Sequence, residues 1–482
     1  MKRPPVDRWF FVFLIVLALA IRWEVARRYS GEAVWDGHYY EYYARRIADG
    51  FGYSDARIVD GIDVGHASCH YPVGFSAALG ALYWLFGQKP TVVWALNAVS
   101  GAAVVGLGFR LAQHAFGTGR ESTWRARVAG LLLLVHPGLV LQSALVMSEG
   151  LATATTLASL VVAVELRARG RAWLGALLGA ACLGISALVR PPALFMVPFL
   201  LPWNAPWSLD AKWVRSAWMR RGVGLVLLCT TALLPILPWT ARNCRAMDGC
   251  ALVSTNGGWN LAIGAFPRAT GRFETLKSAD GCREVTGQVQ QDRCWLHYGL
   301  DHIASSPGHW LALIPKKLHY TFDHESFPIE YLHEAKPAAW PEERRAFGRE
   351  LLTTSHRVLV LLAAAALIRV PSFRRRPQAR TLRENAAVRA GVILFGVLVL
   401  AYAGFSADDP WVWPLAMLAG LAPFVHRDAL ATKLAGALVL TVGATAIVFF
   451  GEDRYHMVAT PALCVLAAAG FSRASLREAR LP

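Results

Sequence analysis

Long runs of apolar residues recur along nearly the whole chain and are separated by short polar connections. Most runs are about 17–22 residues long, which is the length of helix needed to cross a hydrocarbon core of roughly 30 Å. The pattern therefore predicts an all-α polytopic membrane protein with about 12 transmembrane helices. The predicted spans are residues 9–27, 90–114, 126–142, 147–165, 172–189, 191–205, 222–239, 351–369, 387–405, 411–425, 431–450 and 456–472.

Composition and charge support this assignment and add an orientation. Of the 482 residues, 55% are hydrophobic, and the net charge of +16 comes mainly from short basic loops between apolar runs. If the N-terminus lies inside, the positive-inside rule places all these loops on the cytoplasmic face. They do not form an aromatic-interleaved basic surface, so we expect no nucleic-acid partner. The first run lacks a small-residue cleavage site, which predicts an uncleaved signal anchor.

The remaining polar material is predicted to lie outside, in loops of about residues 28–90 and 241–350. We therefore divide the chain into an N-terminal membrane module (1–240) that includes the first loop, the large loop (241–350), and C-terminal membrane helices (351–482). Cysteine spacing in the large loop favours two local disulfides, Cys244–Cys250 and Cys282–Cys294, and leaves Cys69 over. Disulfides fit an oxidising periplasm, which predicts a bacterial inner-membrane protein.

The first outer loop contains an aromatic amphipathic segment, "DGHYYEYYARRIADGFG". At helical spacing one face carries Tyr39, Tyr40, Tyr43 and Ile47, and glycines end the segment at residue 50. A helix of about 13 residues is too short to span a bilayer, so we expect it to lie along the outer interface. A second such segment follows at residues 71–87.

Asp36 is the first residue of this predicted helix, and two roles are open for it. Its carboxylate would serve as an N-cap that accepts a backbone N–H. It would equally serve as a general base, and local features do not separate the two roles.

Several short motifs follow one another in a distinctive order. An Asp after the first span and a Tyr-rich helix ending Gly-x-Gly precede "YPVGF", "LVMSEG", "SALVRPP", "PWTARNCRAMDG", "STNGGWNLAIG", "SSPGHWLALIPKKLHYTF" and "GEDRYHMVATP". Together they resemble the GT-C superfamily of integral-membrane glycosyltransferases, closest to the branch of protein O-mannosyltransferases and lipid A aminoarabinose transferases. The resemblance covers most of residues 9–470.

The resemblance implies a GT-C type helical bundle with two large periplasmic loops that carry amphipathic juxtamembrane helices. It also implies sugar transfer from a polyprenyl-phosphate-linked donor at the periplasmic face, with Asp36 as the general base. The chain departs from the pattern at two points. Gly37 follows Asp36 where the mannosyltransferases have Glu, and His70 and Tyr71 replace the charged residues that the aminoarabinose branch carries before its prolines.

Arginines at outer span ends are the natural ligands for the donor phosphate, because a guanidinium can hold phosphate bidentately. This description fits Arg190, Arg242 and Arg454. The alternative for each is a membrane anchor whose charged group extends to the interface. The neighbouring Tyr455 and His456 are expected to donate to the same phosphate.

Further polar residues are expected to line the substrate cavity: Tyr39, His70, Glu149, Asn243, Asn256 and Lys316. A carboxylate at a span start is costly in lipid unless it is paired or solvated, so Glu149 is expected to face the cavity, where an arginine is its natural partner. The alternative is that it only caps the helix. His66 and His70 have ligand-like spacing, but no further metal motif accompanies them, and no metal site or other cofactor is assigned.

The expected partners are the lipid-linked donor, a lipid, glycan or protein acceptor, and membrane lipids. Two alternatives remain at this stage. A transporter or flippase of lipid-linked sugars would place ionisable residues near span centres. An O-antigen ligase or polymerase would gather its arginines in one large outer loop, without an acid after the first span.

Overall fold

A computed structural model describes residues 7–202, 217–366, 411–426 and 428–471. The predicted span at residues 387–405 lies outside the described residues. So does the arginine-rich loop before it. Apart from two small β-ladders, the regular structure of the described part is helical, in agreement with the predicted class.

The helices of the first half are α1 (Arg8–Tyr29), α2 (Asp36–Ala48), α3 (Val73–Phe86), α4 (Pro90–Phe116), α5 (Arg120–Val135), α6 (Pro137–Leu141), α7 (Glu149–Ala168) and α8 (Ala172–Val189). The later ones are α9 (Ala217–Leu233), α10 (Leu237–Ala246), α11 (Gly257–Ile263), α12 (Gln288–Ser305), α13 (Pro307–Phe322), α14 (Phe327–Ala335), α15 (Glu342–Ala365), α16 (Trp413–Val425), α17 (Leu430–Val448) and α18 (Thr460–Ala468). Longer 3₁₀ stretches occupy Pro191–Leu200 and Asp453–Val458.

Five of the described helices are long and apolar enough to cross a membrane: α1, α4, α7, α8 and α17. The number rises to seven if two bent pairs each form one span. α5 meets the next helical segment at 53°, and α9 meets α10 at 60°. Several predicted spans are instead short or irregular. Residues 191–200 form a 3₁₀ helix and α16 has 13 residues. The described part of the predicted span at 456–472 contains only the end of a 3₁₀ helix and the nine-residue α18.

The helical hairpin of α7 and α8 brings two charged residues to one end of the bundle. The helices have 20 and 18 residues, so the chain returns to nearly the level at which it started. Small residues allow the two backbones to approach closely: a Cβ at Gly175 would lie 2.8 Å from the carbonyl oxygen of Ala163. Glu149, the first residue of α7, thus meets Arg190, which follows α8.

The two amphipathic segments of the first loop form α2 and α3, which pack against each other. α2 has 13 residues, as predicted, and buries Tyr40 and Tyr43. Tyr39, assigned from helical spacing to the same face, is instead 47% exposed. The reason is that residues one position apart lie about 100° from each other around a helix.

The connection after α2 folds into two antiparallel ladders. β1 (Ser54–Asp55) pairs with β4 (His66–Ala67), and β2 (Ile58–Val59) pairs with β3 (Ile62–Asp63). Arg46 of α2 donates to Asp63 Oδ2 at 2.7 Å and to Ser54 Oγ at 3.2 Å, which fastens the ladders to the helix.

The large loop folds around its own apolar core, in which Phe266 and Trp295 are fully buried. The two expected local disulfides, Cys244–Cys250 and Cys282–Cys294, are both present, and Cys69 is a buried free thiol. The second disulfide joins the start of the segment before α12 to α12 itself, so it closes a short loop beside this core.

Cys282→Ser is expected to lower the free energy of unfolding by about 2–4 kcal/mol, because the unfolded chain regains the freedom of the opened loop. Thermal denaturation of the purified protein measures this loss, and peptide mapping without reductant checks both linkages. Cys229→Ser, which changes an exposed free thiol, is the control. A Cys282 thiol that reacts without reductant, and only from the cytoplasmic side, would contradict both the disulfide and the proposed location of the loop.

Candidate active site

The first element of the site is the start of α2, where the chain turns sharply. Trp35, not Asp36, is the N-cap residue of α2, and no side chain caps the helix, so the cap interpretation of Asp36 is wrong. Trp35 has a φ of 51° and lies against Phe327 and Tyr331 of α14. A Cβ at Gly37 would overlap Tyr331 Oη and the carbonyl oxygen of Val146, so the close packing of this turn explains why glycine follows Asp36.

The carboxylate of Asp36 is held between a phenol and a guanidinium. Oδ1 accepts a hydrogen bond from Tyr71 Oη at 3.1 Å, and Oδ2 accepts one from Arg454 Nη1 at 2.6 Å. Burial of Asp36 opposes ionisation, but the charge and hydrogen bond of Arg454 outweigh it, and the net pKa of the carboxyl is lowered below its usual range. Asp36 is therefore an anion at neutral pH.

Arg454 reaches Asp36 from the 3₁₀ segment Asp453–Val458. Its Nε donates to Glu452 Oε2 at 2.7 Å, so two carboxylates share one guanidinium. Burial raises the pKa of Glu452 above its usual range, in spite of the neighbouring Arg454. Asp453 anchors the segment, because its Oδ2 accepts hydrogen bonds from Phe327 N at 2.8 Å and Ser326 Oγ at 3.0 Å at the start of α14.

A second ion pair lies beside the first. Glu149, 1% exposed, accepts a hydrogen bond from Arg190 Nη1, so the expected pairing of this acid with an arginine is present. The guanidiniums of Arg190 and Arg454 lie 5.4 Å and 5.5 Å from the centre of the same Tyr455 ring. Two cations are thus held close together on one aromatic side chain.

These groups border a cavity of about 460 Å³ with one polar and one apolar part. The polar part is lined by Asp36, Tyr40, His70, Tyr71, Arg190, Asn256, Trp259, Arg454 and Tyr455. The apolar part is formed by the 3₁₀ stretch after Arg190 and by α17, with Val189, Pro191, Pro192, Leu194, Met196, Leu438, Val442 and Phe449 among its lining residues. The cavity suits a ligand with a charged head and a hydrocarbon tail.

Two further predicted residues lie at the cavity and two lie beside it. His70 and Asn256 are part of the lining, and burial lowers the pKa of His70, which favours the neutral imidazole. Tyr39 is outside the lining and stacks on Tyr71 with ring centres 5.3 Å apart. Glu149 is also behind the wall, where it supports Arg190.

Arg242 and Asn243 do not reach the cavity lining. Arg242 donates to the carbonyl oxygens of Ser68 at 2.8 Å and Tyr53 at 2.6 Å, and it stacks over Trp239. Asn243 is fully buried and donates to the carbonyl oxygen of Ala251. The physical reason is that carbonyl groups of the neighbouring loop take the donors that were expected to meet phosphate.

His456 and Lys316 also depart from expectation. His456 is fully buried and points towards Glu325 rather than into the cavity. Lys316 is exposed, whereas its neighbour Lys317 is buried, and burial lowers the pKa of Lys317 to about 7. Lys317 Nζ donates to the carbonyl oxygen of Ile447 at 3.0 Å, so this lysine ties α13 to the end of α17.

Sequence reasoning missed Tyr71 and Glu452 as site residues. Tyr71 directly precedes the proline of "YPVGF", and Glu452 stands two positions before Arg454 in "GEDRYHM". Both residues lie within motifs described above, and this position was the signal that could have identified them. The sequence alone does not show in which direction each side chain points.

No protein-family model and no curated protein matches the chain. Among solved structures, it is similar to the Archaeoglobus fulgidus oligosaccharyltransferase AglB in complex with an inhibitory peptide and a dolichol-phosphate. The identity is 12%, the TM-score is 0.46, and the match covers 98% of this chain and 52% of that one. The chain thus spans about half the length of the archaeal enzyme.

A second similar structure is ArnT from Cupriavidus metallidurans bound to undecaprenyl phosphate. The identity is 14%, the TM-score is 0.34, and the match covers 98% of this chain and 79% of that one. Both neighbours are GT-C glycosyltransferases, the superfamily that the sequence motifs resemble.

Arg242→Ala is expected to lower the free energy of unfolding by about 1.5–3 kcal/mol, because it removes charged hydrogen bonds to two loop carbonyls. Binding of polyprenyl phosphate to the purified protein should change little. Thermal denaturation and lipid-binding titration measure the two effects. The control is Arg245→Ala, which alters an exposed arginine on the same helix. A loss of lipid binding at unchanged stability would restore Arg242 to the phosphate site.

Proposed function

We propose that this chain is a membrane glycosyltransferase that moves a sugar from a polyprenyl-phosphate-linked donor to an acceptor at the periplasmic face of the bacterial inner membrane. The observation that carries the proposal is the junction of Asp36, Arg454 and Arg190 at the polar end of a largely apolar cavity. Sugar transfer from such a donor requires a group that accepts the proton of the acceptor, cations for the leaving phosphate, and a slot for lipid. The cavity offers a candidate for each.

The phosphate is proposed to bind between the two arginines. Arg454 uses Nε and one Nη1 donor on Glu452 and Asp36, and Arg190 uses an Nη1 donor on Glu149, so N–H groups remain on both guanidiniums. Two cations that share the Tyr455 ring repel each other, and an anion between them would relieve that repulsion. A polyprenyl chain attached to this phosphate would extend along Met196, Leu438 and Val442.

Asp36 is the proposed acceptor of the proton. Its lowered pKa keeps it ionised but makes it a weak base while Arg454 is attached. A donor phosphate that draws Arg454 towards itself would weaken this ion pair and raise the basicity of Asp36. Donor binding would then prepare the base for the acceptor, and Tyr71 Oη would hold the carboxylate in place through its hydrogen bond.

A transporter of lipid-linked sugars is the competing function. The charged groups at the cavity and directly behind its wall stand at helix ends: Asp36 starts α2, Arg190 follows α8, and Glu149, which pairs with Arg190, starts α7. Ionisable groups that carry a substrate across a membrane are expected near the middle of the spans instead. This placement favours chemistry at one face of the membrane over passage through it.

Arg454→Lys is expected to weaken binding of polyprenyl phosphate by about 10–100-fold, because an ammonium keeps the charge but loses the planar fork. The retained charge still compensates Asp36 and Glu452, so the fold should survive. Titration of purified protein with polyprenyl phosphate gives the affinity. The control is Arg45→Lys, since Arg45 pairs with Glu41 on α2 outside the cavity. Unchanged affinity in a folded Arg454→Lys variant would remove Arg454 from the donor site.

Asp36→Asn is expected to abolish sugar transfer and to preserve binding of polyprenyl phosphate. Asparagine accepts the hydrogen bond of Tyr71 but cannot take a proton, and general-base catalysis contributes a factor of about 10²–10⁴. Mass spectrometry of envelope glycolipids and glycoproteins compares cells that carry the variant, the wild-type protein or neither.

Glu41→Gln is the matched control, because it neutralises another acid of α2 that bonds Arg45 and Tyr83 outside the cavity. A sugar-bearing product that depends on the wild-type chain and disappears with Asp36→Asn supports the proposal. Near wild-type product from a folded Asp36→Asn variant would exclude Asp36 as the base. Lipid-linked sugar that accumulates on one side of the membrane, without any missing product, would favour the transporter.

A further inference from the structure

Three side chains with metal-ligand chemistry meet in the protein interior, outside the cavity lining. They are Glu325, between α13 and α14, His356 on α15 and His456 on the 3₁₀ segment that carries Arg454. All three are fully buried, and their ligand atoms lie within 4.8 Å of one another. Three groups that can ionise are costly to bury together unless they bind something that compensates for the lost water.

The last turn of α13 fixes which ring nitrogens carry hydrogen. His456 Nδ1 lies 2.6 Å from the carbonyl oxygen of Thr321, and His356 Nε2 lies 2.8 Å from that of Phe322. A carbonyl oxygen only accepts, so each of these nitrogens must be the donor. In the neutral rings, His456 Nε2 and His356 Nδ1 then present lone pairs. Backbone carbonyls orient metal-bound histidines in this same way.

Both lone pairs face the Glu325 carboxylate. Oε2 lies 3.4 Å from His456 Nε2 and 4.0 Å from His356 Nδ1, and the two imidazoles are stacked with ring centres 3.8 Å apart. Within the described residues, neither oxygen of Glu325 has a hydrogen-bond partner, and neither do those two nitrogens. Acceptors that face one another without a donor require a cation or an added proton between them.

The spacing of these atoms matches a small metal ion. Zinc binds nitrogen and oxygen at about 2.0–2.2 Å, so the ligand atoms of a tetrahedral site lie roughly 3.3–3.5 Å apart. The observed separations of 3.4 Å and 4.0 Å are close to this. Two imidazoles with one carboxylate suit zinc better than magnesium or calcium, which prefer oxygen ligands.

A further buried histidine lies near the cluster but is not part of it. His136, which precedes α6, is buried and interacts electrostatically with Glu325 and His456. Both of its ring nitrogens lack hydrogen-bond partners among the described residues. In α6, a Cβ at Gly138 would overlap Glu325 Oε1, so the absence of a side chain at this position makes room for the carboxylate.

We propose that Glu325, His356 and His456 form a zinc site that supports the fold. The ion would join the connection between α13 and α14, α15 and the 3₁₀ segment, and would so hold the backbone two residues after Arg454. The site needs no sugar donor for its formation, and its occupancy can be measured without any assay of transfer.

The test uses the full chain, purified with a tag that contains no histidine. Elemental analysis is expected to find one zinc ion per chain. Removal of zinc with a strong chelator should lower the thermal midpoint, and added zinc should restore it. Glu325→Gln and His356→Ala are expected to lower zinc affinity by more than about 10–100-fold, since even second-shell changes have effects of that size. His66→Ala, which changes an exposed histidine, should keep the zinc.

X-ray absorption at the zinc edge of the wild-type protein gives a result that does not depend on the folding of any variant. Imidazole nitrogens and one oxygen at about 2.0–2.1 Å support the proposal. A folded wild-type protein that binds no zinc even after zinc is added would overturn it. So would a coordination shell that contains sulfur or only oxygen, or a folded Glu325→Gln variant with undiminished affinity. If the folded wild-type protein binds no zinc, a proton shared between Glu325 and the histidines is what holds the cluster together.

Discussion

The ion pair between Asp36 and Arg454 joins residues 418 positions apart and closes the polar end of the cavity. Such a pair stabilises little by itself, because both groups lose their hydration when they are buried. Here the loss is offset by added hydrogen bonds from Tyr71 to Asp36 and from Arg454 to Glu452. The pair therefore serves to fix geometry: it holds the start of α2 against the 3₁₀ segment, and the other cavity groups are arranged around that junction.

Charge balance gives this junction a built-in response to an anion. Asp36, Glu149 and Glu452 surround two guanidiniums, so the fully ionised group carries one more negative than positive charge. The raised pKa of Glu452 makes it the acid most easily neutralised by a proton. In the proposed mechanism, an entering phosphate would bind the remaining N–H groups of Arg454, draw this side chain away from Asp36 and so weaken their ion pair. Binding of the phosphate would thereby be coupled to the basicity of Asp36 through the Arg454 side chain that both contact.

Some of the residues that the sequence singled out lie together at the cavity, and others do not. Asp36, Glu149, Arg190 and Arg454 were recognisable because charged groups next to apolar spans are costly unless they have partners or a function. His456 was predicted to contact the phosphate together with Arg454, but a 3₁₀ helix turns about 120° per residue. Its successive residues therefore face Asp36, Arg190 and Glu325 in turn. Arg242 was predicted to bind phosphate. Its neighbours in the sequence do not show that the carbonyl groups of Tyr53 and Ser68 lie within hydrogen-bond distance of it.

The apolar pattern matches helices long and apolar enough to cross a membrane at five predicted spans, and several other predicted spans are broken or shortened where proline interrupts them. Pro137 begins α6 after the bend that follows α5, and Pro191, Pro192 and Pro198 lie in the 3₁₀ stretch after α8. Hydropathy does not register such breaks, because proline and its neighbours are themselves apolar. Irregular backbone inside a membrane is tolerated where it is covered by protein or lines a cavity. The stretch from Pro191 forms part of the cavity wall directly after Arg190. The same break that shortens the span therefore opens the apolar slot beside the cation that the proposed lipid phosphate would meet.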